Sequence, residues 1–246
     1  MRSAFKRGFT FTAGVTLAGV TLAMLPGTAQ ADDFGAAHAA RIAKYSAYLA
    51  TKSAQGDAQA KETARGFSAL SDKQKGRFLD LLEDRSVMDE FFEEVEAPSS
   101  LTGKTQVALA GGDVVVERES LSGVDDTSTD GDAELWASRY RDTWASYRVT
   151  DTIFGVQVAQ VSVRTNYQVK GKDTTKVYAG SASHYLYVPG CEFSHSPVKE
   201  WISSPPADNA QAETVWTASC WGSAWSKRER VWGDYRGFVG GYLKRN

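Results

Sequence analysis

The sequence predicts an α+β fold: an N-terminal helical unit, then a β-hairpin, then an antiparallel β-sandwich or small barrel. Three observations point there. Apolar residues recur at helical spacing up to residue 97, and period-two alternation takes over after it. Charge changes too, since Asp32 to Asp132 holds 20 Asp and Glu against 11 Lys and Arg, whereas Ala133 to Asn246 holds 10 against 14. All seven Trp and eight of the ten Tyr follow residue 132. Aromatics favour pleated, half-buried surfaces, so the second part reads as β. The expected layout is 1–31 signal peptide, 32–97 helical unit, 98–132 hairpin and flexible linker, and 133–246 antiparallel β domain.

The first residues carry an export signal. Arg2, Lys6 and Arg7 form a cationic start, Phe9 to Leu25 an apolar stretch, and Ala29-Gln30-Ala31 a small-residue cleavage site, so cleavage after Ala31 and secretion are expected. Four Thr and two Gly inside the apolar stretch make it too polar and short for a membrane span, and none is expected in the mature chain. Lys6-Arg7-Gly8-Phe9 is similar to a degenerate twin-arginine signal, but Lys in the first place favours general secretion.

In the helical unit, Ile42, Tyr45 and Leu49 share a face, and Gln55-Gly56-Asp57 marks a break. Ser71 with Gln74 reads as a capping box ahead of the apolar stripe Phe78, Leu81 and Leu82. Ser86 is a second cap candidate, followed by Met88, Phe91, Phe92 and Val95 at i, i+3, i+4, i+7. The acidic residues Asp89, Glu90, Glu93 and Glu94 read as a solvated face.

Lys104 to Ala110 and Asp113 to Glu119 flank Gly111-Gly112, which tolerates positive φ at both positions. Leu109 then faces Val114, Val107 faces Val116, and Lys104 faces Glu119. The Ser, Thr, Gly and Asp of residues 120–132 read as a linker. Trp136, Tyr140, Trp144 and Tyr147 are ambiguous, with helical spacing but strand residue types. Phe154, Val156 and Val158 alternate in one phase and Val161 to Val169 in the other, predicting a bulge near Ala159 and Gln160. Gly171-Lys172-Asp173 turns into a strand from Thr174 to Ala179, with Tyr185 and Tyr187 on a further one. After the loop at Ser203 to Asp208 come strands from Glu213 to Trp221, Ala224 to Trp232, and Phe238 to Leu243. Gly237, Gly240 and Gly241 suit a tight turn or bulge.

Only two cysteines exist, and an exported chain pairs them, so a Cys191–Cys220 disulfide is expected over two free thiols or half a metal site. Catalytic patterns are thin. The mature chain holds only His38, His184 and His195, with no Gly-x-Ser-x-Gly elbow, and Ser194 and Ser196 flank His195 on a strand that points neighbours to opposite faces. Glu192, His195 and His184 lack metal-ligand spacing, so no metal, cofactor or catalytic residue is expected. Glu200, Glu213, Glu229 and Asp234 are the carboxylates a glycosidase would draw on.

Aromatic density is the unusual resource. Trp201, Trp216, Trp221, Trp225, Trp232 and Tyr235 could stack on sugar rings or meet a protein, although core filling is the expected role of most Trp and Tyr. Lys227-Arg228-Glu229-Arg230, beside Trp225 and Trp232, could present a basic, aromatic strand face to an anionic wall polymer, with an edge strand defended by charge as the alternative. The candidate binding residues are thus Trp201, Trp221, Trp225, Trp232, Tyr235, Arg228 and Arg230. The second half's modest positive charge falls far short of a nucleic-acid-binding surface.

The runs Ser194 through Trp201-Ile202-Ser203, Ala212-Glu213-Thr214-Val215-Trp216, Arg228-Glu229-Arg230 and Trp232 to Leu243 resemble small exported proteins of actinobacteria. The resemblance extends to the Leu70 to Val95 helices and the Val107 to Glu119 hairpin. It implies secretion and the two-unit layout and transfers no catalytic residue. The expected function is a secreted, non-enzymatic binder of cell-wall polymer, extracellular glycan or an extracellular protein. The alternatives are a secreted hydrolase of wall polymer or polysaccharide, and a protease inhibitor or antibacterial toxin.

Overall fold

The computed structural model describes residues 29–87, 103–125, 140–220 and 223–246. Residues up to Ala37 form a unit of their own, helical where described, and a second compact unit runs from His38 to Asn246. Most of the signal peptide, the stripe at Met88, Phe91, Phe92 and Val95, most of the linker, and Trp136 and Trp221 lie outside the described residues.

Among the described residues, α1 (Ala29–Ala54), α2 (Ala58–Ala69) and α3 (Asp72–Glu83) come first. The break between α1 and α2 falls where Gly56 adopts a φ of 90°, and Asp57 caps α2 by accepting from the Ala60 amide. The Ser71 and Gln74 capping box forms in full at the start of α3. Asp84 is the C-cap of α3, and its carboxylate accepts from both the amide and the hydroxyl of Ser86; the helix expected to start at Ser86 lies mostly outside the described residues. Tyr45, Phe67 and Phe78 meet with ring centroids 4.9 to 5.5 Å apart, and Leu49, Leu81 and Leu82 are buried around them. Each such side chain contributes roughly 1.5–3 kcal/mol by leaving water.

Two antiparallel sheets follow, as the α+β expectation requires. The first is a meander of β1 (Gly103–Leu109), β2 (Val114–Val124), β3 (Tyr140–Ile153), β4 (Val156–Lys170) and β5 (Asp173–Leu186). In the second, β10 (Gly237–Arg245), β9 (Ser223–Asp234), β8 (Ala210–Cys220) and β6 (Cys191–His195) lie in that order, and β7 (Lys199–Ile202) also pairs with β8. The hairpin has the expected register, Leu109 opposite Val114 and Lys104 opposite Glu119, but its connection spans residues 110–113 because Ala110, Gly111 and Gly112 all take positive φ. β2 then pairs with β3 from Val114–Ile153 to Val124–Thr143, which builds the hairpin into the same sheet as β3, β4 and β5.

In this sheet the structure settles one ambiguity and departs from the sequence reading at two points. Tyr140, Trp144 and Tyr147 belong to a strand, since β3 pairs along its length with both β2 and β4. Phe154 is a turn residue, with φ of 50° beside Gly155 at 74°, and so closes the β3–β4 hairpin instead of starting a strand. Tyr185 continues β5, which runs through an irregularity opposite Arg164 to Asn166, and Tyr187 lies just past its end. The bulge in β4 falls at residues 157–159, at the edge of the expected place.

Between the sheets, inward residues alternate with outward ones. Tyr147, Val149, Val163 and Tyr167 on the first sheet and Ala212, Trp216 and Val231 on the second are at most 1% exposed. Tyrosine rings fit because glycine faces them: a Cβ on Gly241 would stand 2.7 Å from Tyr147 Cγ. Cys191 and Cys220 are directly opposite in the β6–β8 ladder and form the disulfide. Among the described residues, no helix is long and apolar enough to cross a membrane.

Candidate functional site

β9 sorts its charged residues by parity. Lys227, Glu229 and Val231 turn inward and are buried, while Arg228, Arg230 and Trp232 lie on the outer face of the second sheet. Pairing then fixes their neighbours. Arg230 stands between Glu213 and Tyr242, Arg228 between Val215 and Lys244, and Trp232 beside Gln211, which in turn faces Trp201. Lys199 faces Glu213 from β7.

The side chains on this face interlock. The Arg230 guanidinium lies 4.9 Å from the Trp201 ring centroid and 5.5 Å from that of Tyr242, and Lys244 sits 4.4 Å over the other participant, Tyr242. Glu213 accepts from Arg230 Nε at 2.7 Å and holds Arg228 nearby at 3.7 Å. Trp232 meets Tyr242 edge-on at 6.0 Å. Arg228 and Arg230 thus flank the carboxylate of Glu213, with Lys199 opposite it in the ladder and Lys244 beside Arg228, so the face carries more positive than negative charge.

Of the seven residues nominated by sequence, Trp201, Trp232, Arg228 and Arg230 come together here. Trp225 does not, because its odd position turns it inward, 5.6 Å from Phe193. Tyr235 sits in the β9–β10 turn, packed against the core and covered by Arg236 at 5.4 Å. Trp216 is fully buried. Sequence reasoning missed Tyr242 and Lys244. Their i, i+2 spacing was the available signal, but the register shift between Phe238 and Gly240 obscures which face they take.

The inner face is chemically different. Trp216 Nε1 donates to Glu229 Oε2 at 2.6 Å, and burial pushes the Glu229 carboxyl up to about 8. Burial likewise lifts Asp151 to about 7. Asp151, Gln160 and Lys227 line a cavity of only about 30 Å³, together with apolar side chains including Val161, Phe193 and Trp225. No sugar ring fits there. The other carboxylates a glycosidase would use are engaged elsewhere: Glu200 accepts from the Gly180 amide, Glu213 holds Arg230, and Asp234 accepts from the Arg236 guanidinium.

The histidines do not assemble a triad or a metal centre. His195 donates from Nδ1 to the Ser196 carbonyl, while the Ser196 hydroxyl accepts from the Val215 amide. His184 and His195 flank Trp216, and burial with the neighbouring His195 lowers the pKa of His184. Among the described residues, no three His, Cys, Asp or Glu side chains converge on a metal-sized site. Comparison with protein-family models, with curated proteins and with solved structures finds no match for this chain.

Proposed function

We propose that the protein is exported, loses residues 1–31, and acts outside the cell as a non-enzymatic binder of an anionic extracellular polymer. The outer face of the second sheet is its contact surface. The observation that carries this reading is the interlocked set of Trp201, Arg230, Tyr242 and Lys244, with Arg228 and Lys199 at its border. Phosphate or carboxylate groups along a polymer would meet the excess positive charge of Lys199, Arg228, Arg230 and Lys244 over Glu213, while the Trp edges would exclude water. Export is supported by the leader-like sequence, by the disulfide, and by the resemblance to small exported actinobacterial proteins.

The test is co-sedimentation of the mature chain with insoluble cell wall, before and after chemical removal of its anionic polymers. Retention that weakens as salt rises, disappears on stripped wall, and drops at least about tenfold in Arg228→Glu/Lys244→Glu supports the reading. Equal retention on both walls, or release of soluble sugar, overturns it in favour of a neutral-glycan binder or a hydrolase.

A further inference from the structure

A second concave site lies away from the cationic face, where α1 and the start of α2 meet the end of β5 and β6. It is an open groove of about 430 Å³, a volume within the range of small-molecule sites. Its floor is rigid. Tyr187 donates its hydroxyl to Asp57 at 2.7 Å, and the same carboxylate oxygen accepts the Ala60 amide that caps α2. Tyr45 donates to the Tyr187 carbonyl at 3.0 Å, tying α1 to the end of β5. The Tyr185 ring stacks on Tyr187 with centroids 5.3 Å apart, and its hydroxyl donates to Gln157. The Cys191–Cys220 bridge secures β6 along the opposite wall. The pocket is therefore built by contacts that need no ligand, which lowers the ordering cost of binding.

What lines it selects the ligand. Tyr48 and Tyr185 are partly exposed and give aromatic walls, while Lys52 and the exposed Glu192 supply a donor and an acceptor at the rim. Asp57 is already committed to two hydrogen bonds. Lys52 stands 5.9 Å from the Tyr48 ring, where a cationic ligand would otherwise stack. Glu192 and Asp57 together outweigh Lys52, which disfavours an anion.

We propose that this groove binds a neutral saccharide unit, its ring against Tyr185, Tyr48 with Lys52 over it closing one side, and its hydroxyls between Lys52 and Glu192. The site is independent of the polyanion-binding face and stands or falls separately. The mature, disulfide-bonded chain is titrated with maltotriose, cellotriose and the trimer of N-acetylglucosamine, followed by amide NMR shifts, at a salt concentration that abolishes wall retention. At least one trisaccharide saturates with shifts at residues 48, 52, 185 and 192. Lys52→Ala and Glu192→Gln, both at sites that leave the core untouched, each weaken it about tenfold. The proposal is overturned if no trisaccharide shifts the groove residues at about 10 mM, or if binding persists unchanged in the Lys52→Ala/Glu192→Gln double variant.

Discussion

The two faces of β9 put like residues to opposite uses. Arg228 and Arg230 face outward with their charges in water and on aromatic rings, whereas the adjoining Lys227 and Glu229 are sealed between the sheets at 1% and 0% exposure. The outer charges contribute little to stability, since ion pairs at a surface are screened by water. An inner carboxyl is a different object: it loses its hydration and stays protonated near neutral pH, where it can accept from Trp216 without a full buried charge. One strand thus places solvated charges on one face and buried ones on the other by the alternation of its side chains.

Breaking the inner face gives the largest effects. Glu229→Ala leaves the Trp216 indole N–H without its acceptor and opens a cavity, and urea unfolding of this variant is expected to show a loss of about 3 kcal/mol. A fall below about 1 kcal/mol would mean that the inner polar contact is dispensable. Gly241→Val probes the same interface from β10. A Cβ there already meets Tyr147 at 2.7 Å, so the larger side chain is expected to cost about 2 kcal/mol in the same measurement.

The pH dependence sharpens the contrast. Glu229 and Asp151 have folded-state values near 8 and 7, both raised by burial above the ordinary 4.5 and 3.8. Below those ordinary values both carboxyls are protonated whether the chain is folded or not, and their contribution is intact. As pH rises only the unfolded chain ionises, so that contribution is progressively lost until pH passes about 8. Thermal melts of the wild type and Glu229→Gln between pH 4 and 8 are expected to diverge, the variant losing less stability with rising pH by roughly 4 kcal/mol. Parallel curves would show that Glu229 ionises normally.

The outer face yields the smallest stability effects and the largest binding ones. Arg230→Ala removes a cation stacked on two rings and is expected to cost about 1 kcal/mol, whereas Arg228→Ala should stay within about 0.5 kcal/mol. Both should lower retention on anionic wall. An Arg228→Ala variant that melts much earlier would place that side chain in the structural frame.

Local pattern carried much of this protein. The capping box at Ser71, the register of the hairpin around Gly111-Gly112, and the stripe of Phe78, Leu81 and Leu82 each rest on residues a few positions apart, and each forms as expected. The candidate site was half legible. The basic and aromatic run on β9 was visible, but Tyr242 and Lys244 join it through pairing with β10 after an irregularity that shifts the alternation. Trp225 looked equivalent to Trp232, and an odd against an even position sends it to the other face.

By itself, then, the sequence determined the class of each half, the helix caps, the hairpin register, and a cysteine pair suited to bridging. These follow from local backbone preferences and from side-chain periodicity. Only the tertiary structure decided that Glu229 is a buried acceptor and Arg230 the centre of an aromatic face, and that Tyr48 and Glu192, from α1 and β6, line one groove. Bulges reset which face a residue takes, and packing sets what lies opposite it; both depend on strands far apart in the chain.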